Sequence, residues 1–106
     1  MQDKYLYFEN STSDIMLVPT SRLVEMEVNA DDDVNLRFTG VQGVGQEMEI
    51  VLTVTSHKGK EVMASIADEI RFSKNPMIMV ADETNSKFLH SAITAIETTL
   101  TDAALL

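Results

Sequence analysis

The densest basic cluster in this 106-residue chain is His57-Lys58-Gly59-Lys60. It falls at the expected amino terminus of a helix, where free backbone N–H groups and the positive dipole end favour an anion. Lysine there works against the helix itself, which marks Lys58 and Lys60 as candidate phosphate contacts. A second candidate is Lys87-Phe88-Leu89-His90. Lys87 and His90 flank an aromatic ring, and single-stranded nucleic acid prefers charge and a stacking ring side by side. The candidate nucleic-acid-binding residues are therefore Lys58, Lys60, Lys87 and His90.

The acidic and glycine-rich stretches point to structure more than to chemistry. Asp31-Asp32-Asp33 offers carboxylate oxygens to a hard cation, but the spaced ligands, central glycine and terminal glutamate of a calcium loop are missing. A solvated hairpin turn is expected there. Asp82-Glu83 closes an apolar run, a place where parallel α/β sheets put magnesium or phosphoryl chemistry. With a single strand–helix–strand unit and no phosphate loop, a plain turn is expected. Gly40-x-x-Gly43-x-Gly45 lies between two strands and not before a helix, so it is read as a hairpin loop. His57 and His90 have no metal-ligand spacing, and the chain has no cysteine. Thiol catalysis, zinc–thiolate and iron–sulfur sites are excluded. The expectation is a non-enzymatic protein with no catalytic residue, no metal and no cofactor.

Charge bears on partners. The net charge is −9, and most of it sits in the first half of the chain. Acidity opposes non-specific attraction to phosphate or anionic lipid and favours solubility. The first nine residues lack a long apolar stretch, so no signal peptide is expected. The apolar runs are strand-sized, so no membrane partner is expected either.

Hydropathy patterning predicts a single α+β domain over residues 1–106. Met48, Ile50, Leu52 and Val54 alternate with mostly polar neighbours, the mark of a half-buried strand over 47–55. Residues 23–28 and 34–39 alternate in the same way and predict a hairpin, with Val24, Met26 and Val28 on one side. Val62, Met63, Ile66, Ala67 and Ile70 make one stripe of an amphipathic helix over about 58–74. Asp68 and Arg71 stand at pairing distance on it. Lys74, Asn75 as a left-handed cap and Pro76 form its stop. Residues 5–9, an edge strand ending at Pro19 and a buried strand at 77–81 add to the set, and 90–99 reads as a strand by its threonine and isoleucine content, with a helix through Ile93, Ile96 and Leu100 as the alternative. Six internal methionines fall mainly on expected inward faces and are read as core filling, with a methionine-lined assembly surface as the minor reading.

The order of segments resembles a family of short Sm/LSm-like proteins known from marine metagenomes and attributed to cyanophages. The residues that carry the resemblance are Lys4-Tyr5-Leu6-Tyr7-Phe8, Val18-Pro19-Thr20-Ser21-Arg22-Leu23, Ile50 to Thr55 followed by Lys60-Glu61-Val62, and Val80-Ala81-Asp82. The Arg-Gly of the second Sm signature is absent, so no RNA-binding residue carries over. The resemblance implies a small, strongly bent antiparallel β-barrel with one main helix. Its five barrel strands would be 23–28, 34–39, 47–55, 77–82 and 91–98. It also implies a homo-oligomeric ring of about five to seven copies, located in the cytoplasm of an infected bacterial host, that binds RNA or single-stranded DNA. The alternative is a non-enzymatic structural or protein-interaction component of phage assembly. The bottom-up alternative for the fold is an open sheet with the helix across one face.

Overall fold

The computed structural model describes residues 4–39 and 47–97. Its elements are β1 (Tyr5–Ser11), β2 (Asp14–Pro19), β3 (Leu23–Glu27), β4 (Asp33–Thr39), β5 (Glu47–Val54), α1 (Gly59–Phe72), β6 (Met77–Asp82), β7 (Lys87–Phe88) and β8 (Ile93–Ile96). They form two four-stranded sheets, ordered β2-β1-β6-β7 and β3-β4-β5-β8. All pairings are antiparallel except β1 with β6, which is parallel. A single 3-10 turn, Thr20–Arg22, carries the chain from the first sheet to the second.

This corrects the expected barrel. Segment 77–82 does not continue the sheet of 23–28, 34–39 and 47–55; it pairs with β1 in the other sheet. No closed barrel forms among the described residues, and the coarser α+β reading with one main helix holds. The glycine-rich stretch 40–45 and residues beyond 97 lie outside the described residues.

The core fills the space between the sheets. Leu6, Phe8, Val18, Ile78 and Val80 point inward from the first sheet. Val34, Leu36, Phe38, Met48, Ile50, Leu52 and Val54 point inward from the second, as their period-two patterning predicts. Phe8 meets Phe38 edge to face, with centroids 6.3 Å apart and planes at 78°. Val62 and Ile66 of α1 close the core, with Met63 and Ile70 packed beside them. Gly59 lets the helix start lie close to the β3–β4 hairpin, since a Cβ there would sit 2.6 Å from Cγ2 of Val28.

Three local expectations change. In the β3–β4 hairpin, Leu23 faces Phe38 and Glu25 faces Arg37, so Val24 is an extra, bulged residue. The bulge resets the alternation: Leu23 and Met26 pack on the core, and Val24 and Val28 face solvent. At the helix end, Ser73 turns to an extended conformation and Asn75 is not left-handed. Asn75 instead donates its N–H to Ser73 Oγ, and the Lys4 ammonium, 2.6 Å from the Ile70 carbonyl oxygen, caps the last turn. Arg71 lies over the ring of Phe72 rather than against Asp68.

Truncation of the inter-sheet ring contact should be severe. Phe38→Ala is expected to cost about 3–5 kcal/mol in chemical denaturation. Phe72→Ala, on a ring that is 66% exposed, should cost less than about 1 kcal/mol.

Candidate functional site

The turn before α1 is assembled from three chain segments. Val54 donates its N–H to the Asp32 carbonyl, Thr55 to Ala92, and His57 to Asp31. This holds His57 at φ 65, a left-handed conformation that is uncommon outside glycine. Lys58 then begins the helix, and no side chain caps it. Glu61 in the first turn offsets the unfavourable lysine, with its carboxylate 3.8 Å from Lys58 Nζ.

Two open recesses flank this helix start. One, of about 400 Å³, is lined by Thr55, Lys58, Glu61, His90, Ser91 and Ala92. The other, of about 460 Å³, is lined by Val28, Asp31, His57, Gly59, Lys60 and Met63. The four predicted contact residues are therefore divided. Lys58 and His90, far apart in sequence, share the first recess. Lys60 borders the second, and Lys87 lines neither. Phe88 packs against the core from β7, so its ring is not the free stacking platform expected beside Lys87 and His90.

The first recess brings Glu61, His90 and Ser91 together, residue types that can form a carboxylate–base–nucleophile set. Their hydrogen bonding argues otherwise. His90 Nδ1 accepts the Ala92 N–H at 3.0 Å, so the neutral ring carries its proton on Nε2. That nitrogen can donate to an anion but cannot take a proton from a serine. Glu61 is turned to Lys58. Asp82 and Glu83 do not line the recess.

The acidic stretches behave as turn residues. Asp33 Oδ1 accepts the N–H groups of Asn29 and Ala30 at 3.3 and 3.1 Å. Asp82 is buried and accepts both the backbone and the side-chain amide of Asn85. Among the described residues, no group of three or more His, Cys, Asp or Glu is placed to hold a metal.

The surface that residue-by-residue reading missed is the outer face of the first sheet. Register puts Pro19, Tyr5 and Met77 in one row and Leu17, Tyr7 and Met79 in the next, with Ile15 beside Glu9. The Tyr5 and Tyr7 rows are uncharged across β2, β1 and β6, and the charges begin at Glu9 and its neighbour Asp82. Tyr5, Ile15, Leu17 and Met77 remain 38%, 49%, 50% and 51% exposed. The outer face of the second sheet is more polar: Arg37 lies between Glu25 and Glu49, and Asn35 donates to Glu49, with Val51 and the bulged Val24 as apolar exceptions. The clue in the sequence was that Tyr5 and Tyr7 alternate with Leu6 and Phe8, which leaves no polar side to β1 before Glu9.

At the end of this face Glu9 is buried, and it accepts a hydrogen bond from the Tyr7 hydroxyl. That bond, with burial and the nearby Glu9 and Asp82 charges behind it, pushes the Tyr7 phenol up to about 12. Beyond them Asp82 and Lys87 continue the row across β6 and β7.

No protein-family model matches this chain, no curated protein matches its sequence, and no solved structure matches its fold. Among the described residues no helix is long and apolar enough to cross a membrane.

The Tyr7–Glu9 pair has a pH signature. The phenol is raised above its ordinary 10.0, so the stabilisation it brings is present below about pH 10 and is lost as pH rises through about 12. Ultraviolet titration should show a tyrosine midpoint near 12 that is missing in Tyr7→Phe. It should move down toward 10 in Glu9→Gln.

Proposed function

We propose that this chain is a non-enzymatic protein-interaction module that works through the outer face of the β2-β1-β6-β7 sheet. The observation that carries this reading is the contrast between the two sheets. A sheet that faces water on one side alternates apolar inward and polar outward, as β4 does and as β5 does apart from Val51. β1, β2 and β6 are apolar on both sides over the Tyr5–Tyr7 rows. With Ile15 of the next row, the exposed Tyr5, Leu17 and Met77 present roughly 400 Å² of surface, the size of the largest apolar patch on an ordinary monomer, which is often a functional one. A role in assembly, the alternative that the Sm-like resemblance left open, agrees with this surface and with a recess whose histidine is not set up as a base.

Nucleic-acid binding is the second reading. It is supported by the shared recess of Lys58 and His90 at an uncapped helix start, where Lys58 Nζ, His90 Nε2 and backbone N–H groups can all donate to a phosphate. Against it stand the net charge of −9, Glu61 within the recess, and the engagement of Phe88 with the core.

Each reading has its own measurement. If the outer face serves contact and not folding, Leu17→Lys and Met77→Lys should change the unfolding free energy by less than about 1 kcal/mol in dilute solution. A loss of several kcal/mol would show that the chain needs these side chains for its own core. For the second reading, fluorescence anisotropy with short single-stranded RNA and DNA at low salt is expected to show weak binding. Lys58→Ala should lower the salt slope by roughly 0.7, and Lys87→Ala should leave it unchanged. Absence of wild-type binding, or a Lys58→Ala variant that binds as well as wild type, removes that reading.

A further inference from the structure

We infer that the outer face of the β2-β1-β6 strands binds a second copy of this chain about a two-fold axis. The inference rests on the interaction reading above and names its partner. Three properties of the surface select the second copy.

The first is complementarity. Tyr5, Tyr7, Leu17, Met77 and Met79 need an apolar counterpart, because pressing them onto carboxylates would strip those groups of water without pairing them. The other sheet offers Glu25, Arg37 and Glu49 on its outer face. A head-to-tail contact between the two outer faces, the kind that builds rings, would make that unfavourable match. Face against identical face matches apolar with apolar, and such an isologous contact closes at two copies.

The second is charge. Each copy carries −9, so a pair carries twice that. Association survives only if the contact keeps the acids apart. Glu25, Glu27, Asp31 and Asp32 are exposed on the β3 strand and its hairpin, in the other sheet. Within the apolar face the nearest carboxylate, Glu9, is buried and held by Tyr7. A basic partner would be drawn to the acidic hairpin and not to this face.

The third is area. The four most exposed side chains supply roughly half of the 800 Å² or so per partner that a stable interface buries. Half-buried Tyr7, Met79 and Pro19 extend the same face toward the remainder.

The test is sedimentation velocity from nanomolar to high micromolar protein, with peroxide oxidation of Met77 followed over the same range. Wild type is expected to pass reversibly from 11.8 kDa to twice that mass, and Met77 oxidation should slow as the pair forms. Leu17→Lys, which lowers the net negative charge and so eases the long-range repulsion between copies while putting an ammonium into the apolar contact, should weaken the pair on the order of tenfold or more. Val24→Lys, on a side chain 60% exposed in the other sheet, should not. Because Met77 oxidation is read on wild type, the test does not depend on how the variants fold. A wild type that stays monomeric, a larger ring, or a dimer that leaves Met77 reactive and ignores Leu17→Lys would overturn the inference. The two failures are separable. A monomeric wild type whose Leu17→Lys variant is equally stable in dilute solution leaves the face open to a different protein, whereas a variant that unfolds there removes the interaction reading itself.

Discussion

The edge-to-face contact of Phe8 with Phe38 sits where the two sheets meet, and the architecture follows from that packing. Each sheet has one fully apolar inner face, and neither can bury it alone. Bringing them together covers both and leaves an open edge of the core that α1 fills with Val62 and Ile66. The helix is consequently fixed at both ends by the sheets: Gly59 against Val28 at its start, and Lys4 on the Ile70 carbonyl at its finish. The recess of Lys58 and His90 is a by-product of the same constraint. Thr55 must bond Ala92 to bring β8 alongside β5, and that draws His90 to the helix start.

The two outer faces have opposite characters, and this organises the functional reading. On the second sheet Arg37 spans Glu25 and Glu49, an exposed arrangement worth little in stability but well matched to water. On the first sheet the corresponding positions are tyrosine, leucine and methionine. Folding of the single chain gains nothing from apolar side chains left half exposed, and solubility loses by them. β2 adds to this, since Ile15 to Pro19 is an edge without a charge, a kind of strand that isolated proteins usually protect. Pro19 blunts one end of that edge, and among the described residues nothing comparable covers Ile15 and Leu17.

The buried acids of the first sheet show how polar groups are tolerated beside such a face. Glu9 and Asp82 end neighbouring strands in register. Each is buried, and each is supplied with donors from its own surroundings: Tyr7 for Glu9, and Asn85 twice over for Asp82. Burial of a carboxylate without such donors would cost several kcal/mol. Carboxylates satisfied in this way are stabilised at strand ends by the chain's own donors.

Much of the fold was legible in the order of residues because it depends on local period. Alternation in 34–39 and 47–55, the helical stripe around Val62 and Ile66, and the proline stop at Pro19 are set by neighbours within a few positions. Which strands lie beside which was not legible. β6 could join either sheet on pattern alone, and only the mutual fit of the two inner faces placed it parallel to β1 and left no closed barrel among the described residues. Bulges were hidden for the same reason. Val24 has the alternation of an inward residue and faces solvent because the register against Phe38 and Arg37 slips there. The candidate contacts fared likewise: sequence found Lys58, Lys60, Lys87 and His90 by residue type, and tertiary structure joined two of them and separated the rest. The apolar outer face is the clearest case. Its residues come from three strands distant in sequence, each ordinary in its own segment, and a shared surface exists only once hydrogen bonding has set them in register.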